Sequence, residues 1–168
     1  MRPECRLDVP AGRAYSLDER TGPVSPQAGA SMWPLVDGDD WSRVVAAQSC
    51  VRFGCLTDLR GGWAALRNPE QRIGVGLSWP LAVLPHMWTY QDIHGVESSP
   101  WLGRGEFVML EPSRTPHSLG LATAIENGQE LRLEPGGHLE SWLTVVVFRP
   151  QGRVSGIDQE GVVAFEPE

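Results

Sequence analysis

Hydrophobic and polar positions alternate along much of this chain at a period of two, in short runs broken by glycine and proline. The clearest run is 72–79, where Ile73, Val75 and Leu77 alternate with Gly74, Gly76 and Ser78. That pattern predicts a strand with one apolar face; the small opposite face would allow close approach by backbone or a ligand, and a tightly packed sheet is the plainer reading. Strands are also predicted over 51–56 and 63–66, paired through the glycine turn Arg60-Gly61-Gly62, and over 87–93. Residues 107–110 form a short apolar run ending in Glu111 and Pro112. Proline cannot donate to a sheet ladder, so that strand is expected to close there. Residues 139–149 hold the longest apolar run. Its Val145-Val146-Val147-Phe148 is too continuous for a one-sided strand and predicts burial on both faces at the centre of the sandwich.

The intervening stretches read as connections. Residues 7–11 are a short apolar piece, and 12–40 are so rich in Gly, Pro, Ser and Asp that a long irregular segment with at most short strands is expected. Residues 80–85 form a proline-bounded crossing. Residues 119–127 predict a single short helix ended by Gly128. A strand over 130–134 is expected to turn at Pro135-Gly136-Gly137, and 154–165 to form a final hairpin or a tail. Short strands separated by turn signals predict an all-β sandwich, and 168 residues suit one domain with a real core.

Composition narrows the function classes. A formal net charge of −7 argues against a nucleic-acid surface and favours solubility. No apolar run is long enough to span a bilayer, so no membrane association is expected. The first residues lack an apolar signal core. All 14 basic residues are arginine, which excludes Schiff-base chemistry and a lysine base. Cys5, Cys50 and Cys55 are odd in number and lack metal-ligand spacing, so they read as thiols of a reducing, cytoplasmic compartment, with no metal. Seven tryptophans suit core packing, with one or two available as a flat platform for the C–H side of a pyranose.

Glu111 is the leading candidate for chemistry. A carboxylate at a strand-to-loop transition is held by the sheet yet can face a cleft, as a general base must; the plainer alternative is a solvated strand-end carboxylate. His86, His94 and His117 could each lie near it, and His117 is the best placed, being in the loop that follows. Arg114 could bind sugar hydroxyls or an anionic substituent through its planar fork, or simply be solvated.

Three segments carry a family likeness. The run from Gly105 through Glu111-Pro112 to His117 resembles the segment bearing the catalytic base of aldose 1-epimerases, the galactose mutarotase-like proteins. Leu84-Pro85-His86-Met87-Trp88-Thr89-Tyr90-Gln91 resembles the strand flanking their sugar site, and Leu131-Arg132-Leu133-Glu134-Pro135-Gly136 resembles their turn before the last long strand. The likeness covers roughly residues 7–149 in conserved order. It implies the C-terminal part of a galactose mutarotase-like β-sandwich (a supersandwich) that binds a small-molecule sugar and interconverts its anomers by acid–base catalysis, without a cofactor. Glu111 matches the base. The family's acid histidine lies on an earlier strand that no residue here matches, which leaves His117 as the substitute acid. Trp88, Tyr90, Gln91, Trp101 and Arg114 are the expected substrate-binding residues. A partial fold of this kind is expected to expose an apolar edge or face, and so to form a homodimer or be marginally stable. The alternatives are a non-catalytic carbohydrate-binding module, or pseudo-enzyme, of the same fold, and a purely structural sandwich.

Overall fold

A computed structural model describes residues 4–16, 30–45 and 49–167. Fourteen strands and one helix follow in order: β1 (Glu4–Asp8), β2 (Arg13–Ser16), β3 (Ser31–Met32), β4 (Leu35–Val36), β5 (Asp39–Asp40), β6 (Arg43–Val45), β7 (Cys50–Thr57), β8 (Trp63–Asn68), β9 (Ile73–Ser78), β10 (His86–Ile93), β11 (Glu106–Ser113), α1 (Gly120–Glu126), β12 (Thr144–Phe148), β13 (Arg153–Ile157) and β14 (Val163–Glu166). Two five-stranded antiparallel sheets form the body. One has the order β12-β9-β8-β1-β6 and the other β11-β10-β7-β2-β3. The architecture is the expected all-β sandwich.

The sheets meet over a core that joins Leu7 and Ala64 of the first to Ala14, Leu56 and Met87 of the second, with Val36, Trp41 and Trp79. On the far side of the first sheet, the β13–β14 hairpin buries Val154 and Ile157 against Ala65, Val146 and Phe148. On that same hairpin side the Arg67 guanidinium bonds the Asp8 carboxylate at 2.6 Å, and the same oxygen accepts the Val154 N–H at 3.0 Å. Two buried charges are tolerable there because each compensates the other. Among the described residues, no helix is long and apolar enough to cross a membrane.

Three expectations need correcting, and one point left open is decided. Strands β7 and β8 are not partners: β7 pairs with β2 and β10, and β8 with β1 and β9, so the Gly61-Gly62 turn crosses between sheets. The apolar face of β9 is its open one. Ile73 and Val75 are 46% and 42% exposed, while Gly74 and Gly76 are buried beneath the rings and branched side chains of β12 and β13. A methyl on Gly74 would come within 2.4 Å of the Phe148 ring. Strand β12 is an edge strand rather than the sheet centre, with Val145 60% and Val147 67% exposed. The second sheet stops short of the β9–β12 end, so apolar side chains that continue the inner face are left uncovered. Finally, 130–134 forms no strand; Arg114 draws the Gln129 and Glu130 carbonyls into side-chain bonds instead. The expected short helix forms, and of the two readings of the last segment the hairpin is the one seen.

Candidate functional site

Strand β11 runs through Pro112 rather than stopping before it. Pro112 stands opposite Met87, and Glu111 opposite Trp88. Proline fits because β11 is the edge of its sheet, where a missing N–H breaks no ladder on the outer side. Side chains alternate along β10. Met87 enters the inter-sheet core, so Trp88 and Tyr90 point to the opposite, open face, together with Glu111 from β11 and Phe53 from β7.

On that face the aromatic rings form a ladder. Trp88 meets Phe53 edge-on at 5.5 Å between centroids, Phe53 meets Tyr90 at 5.6 Å, and Tyr90 meets Phe107 at 5.5 Å. Trp101, from the preceding loop, tilts onto Phe107 at 4.6 Å. Edge-to-face packing fixes each ring by its neighbours. Glu111 stands at the Trp88 end of this ladder, at the mouth of a cavity of about 570 Å³.

The loop after β11 makes the far wall of the cavity. Trp88 donates its indole N–H to the Thr115 carbonyl at 2.9 Å, and the Tyr15 hydroxyl donates to the Pro116 carbonyl. Arg114 spends its guanidinium on the carbonyls of Gln129 at 3.0 Å, Ala82 at 3.3 Å and Glu130 at 3.5 Å. His117 is 3% exposed. Its Nδ1 accepts the Leu119 N–H at 3.3 Å, which leaves the proton on Nε2, 2.8 Å from the Gln129 amide oxygen.

Of the seven residues expected at the site, Trp88, Glu111, Arg114 and His117 line this one cavity. Tyr90 and Trp101 lie further along the same face, in the ladder. Gln91 does not belong to it. It is fully buried, on the opposite side of β10, with its amide donating to the Trp41 carbonyl at 2.9 Å and accepting from Arg52 at 3.1 Å. The alternation of the strand turns it inward, so its expected contact with substrate is corrected. Arg114 and His117 reach the cavity with their polar atoms already bonded to the chain.

Two residues of the site carry no local signal in the sequence. Glu130 lines the cavity and has one buried carboxylate oxygen, Oε2, without a partner; Arg132 at 2.8 Å holds its carboxyl below the usual range. Tyr15, 101 positions before its partner Pro116, anchors the loop from the other end of the chain. His86 shares the open side of β10 with Trp88. Burial, together with the positive charge of Arg114, pushes its imidazole below its ordinary range, and its Nδ1 is buried without a partner. Among the described residues, no three His, Cys, Asp or Glu side chains converge as ligands for a metal ion.

Fold and site together describe a β-sandwich with an aromatic open face and a carboxylate at one end of it. No family model and no curated protein sequence matches the chain. Among solved structures it is similar to Slr1438 from Synechocystis sp. PCC 6803, with a TM-score of 0.58 over 87% of this chain at 16% sequence identity. The chain spans 40% of the length of that protein. The likeness is one of fold.

Proposed function

We propose that this protein binds a monosaccharide on the open face of its second sheet and interconverts the sugar's anomers, in the manner of a mutarotase, with Glu111 as the base. The observation that carries this reading is the pairing of Glu111 with Trp88 across the β10–β11 ladder at the mouth of a cavity. An aromatic side chain offers the apolar side of a pyranose a surface, while a carboxylate one strand away can take the anomeric hydroxyl proton. The unpartnered Oε2 of Glu130 is an acceptor for a further sugar hydroxyl. Ring opening also needs a proton delivered to the ring oxygen. His117 supplies it in this reading as the imidazolium, for which Nδ1 must exchange the Leu119 N–H for a proton and Nε2–H must leave Gln129.

That last requirement favours a second reading, binding without turnover. With both His117 ring nitrogens engaged, the cleft can hold a sugar and lack a ready acid. One experiment separates the two. Polarimetry of a freshly dissolved anomer measures interconversion, and tryptophan fluorescence measures binding in the same samples. Catalysed decay of optical rotation supports the mutarotase. Saturable fluorescence change without it supports the binding module, and neither signal with any common aldose overturns both.

A further inference from the structure

A second cavity, of about 480 Å³, lies on the other sheet, away from the Glu111 cleft, and four arginines line it: Arg6, Arg60, Arg67 and Arg153. They come from four different elements. Arg6 and Arg67 stand directly opposite each other on β1 and β8, and Arg43 on β6 stands opposite Arg6 on its other side, so three guanidinium side chains lie in a row across adjacent strands. Arg153 comes from the hairpin above, and Arg60 from the loop after β7. Like charges placed directly opposite in a sheet are destabilising. In a chain of net charge −7, such a concentration of cations calls for a compensating group.

The chain supplies part of it, one carboxylate for each of Arg6, Arg67 and Arg153. Among the described residues, Asp8 is the only carboxylate lining the cavity, and its Oδ2 is already committed to Arg67 and to the Val154 N–H. Glu4 and Glu166 stand at the rim, pairing with Arg6 at 3.0 Å and Arg153 at 3.4 Å, and Glu4 is shared with Arg43 at 2.7 Å. Exposed pairs of this kind contribute little and exchange readily. Arg60 has no side-chain partner among the described residues. Apolar residues complete much of the wall, Trp33 and Pro34 among them, with Ser42 beside them.

We propose that this cavity binds a small organic molecule bearing a phosphate or sulfate monoester, its dianion held by Arg6, Arg60 and Arg153 and its carbon body resting on Trp33. Guanidinium forks match tetrahedral oxyanions in a bidentate way. The cavity volume suits a small molecule, and the overall negative charge works against a long polyanion.

Phenyl phosphate and inorganic phosphate are the probes, followed by calorimetry and by broadening of the phosphorus NMR line. The expected result is saturable binding that weakens with added sodium chloride and is tighter for phenyl phosphate. Replacing Arg60 by alanine should weaken it by about tenfold, the scale of one charged hydrogen bond, and the pair Arg60→Glu with Arg153→Glu should abolish it. Arg60 and Arg153 are both exposed, so these variants should keep the parent's near-ultraviolet circular dichroism. Arg114→Ala should leave phosphate binding unchanged, as should Glu111→Gln. No saturable binding, binding that survives the double charge reversal, or binding lost with Arg114 instead would overturn the proposal, and none of these results touches the sugar reading of the other cleft.

Discussion

Trp88 and Glu111 face the same side of the second sheet from directly opposed positions on β10 and β11. Neighbouring strands lie about 4.8 Å apart, so a sugar held against the indole, as proposed, would have its hydroxyls within reach of the carboxylate. Every consequence for the proposed chemistry follows from that juxtaposition.

Glu111→Gln keeps the shape of the side chain and its capacity to hydrogen-bond but cannot accept a proton. In the mutarotase reading, anomer interconversion should fall by at least about 10²-fold while fluorescence-detected sugar binding persists. Polarimetry of the variant beside the parent decides this. An unchanged rate removes Glu111 as the base.

The buried ion pair makes a prediction about stability. Arg67→Met leaves the buried Asp8 carboxylate uncompensated beneath the β13–β14 hairpin, and should cost about 3–5 kcal/mol in urea unfolding. Adding Asp8→Asn removes the stranded charge and keeps an acceptor for the Val154 N–H, so the double variant should recover most of the loss. A double variant no more stable than Arg67→Met would show that packing, not charge, dominates the site.

The inverted face of β9 predicts a steric cost. Gly74→Ala puts a methyl within 2.4 Å of the Phe148 ring, which is itself packed against Phe165 at 5.7 Å. The overpacking should cost about 1–3 kcal/mol, read as a lowered unfolding midpoint, and Phe148→Leu in the same chain should relieve part of it.

His86 gives a pH dependence whose sign is fixed. Its folded-state pKa lies below the ordinary 6.5 because burial and the Arg114 charge disfavour the cation, and His117 adds to the effect while Asp58 opposes it. Protonation therefore favours unfolding. The contribution is full above about pH 6.5 and is lost as pH falls through the folded value. Urea midpoints should decline between pH 7.5 and 5.5, and His86→Gln should flatten that decline. A variant with the parent's slope would assign the dependence to other groups.

The uncovered inner face bears on assembly. Strand β12 has no proline or charged residue between positions 143 and 148 to blunt its free edge, and Val145 and Val147 beside it are more than half exposed. We expect two copies of the chain to pair through this edge, antiparallel. Sedimentation should show concentration-dependent dimers in the parent and monomers in Val147→Glu. Monomeric parent protein at high concentration would dismiss the interface.

The sequence alone determined the class of fold and the placing of most strands, because period-two alternation and glycine or proline breaks are local physics. It marked Glu111, Trp88, Arg114 and His117, and these do line one cavity. Which face of a strand is covered was not local. The glycines of β9 left open what approaches them, and they are the packed side, because Phe148 and Ile157, far along the chain, fill the space they leave. Pro112 read as a strand end, but only the sheet order, which puts β11 at an edge, shows that its missing N–H matters to no neighbour. Gln91 looked equivalent to Tyr90 one position away, and the alternation of a strand packed on one side turned it into the core. The arginine row of β6, β1 and β8 was likewise invisible, since residues 6, 43 and 67 become neighbours only through strand register, and register depends on the whole sheet.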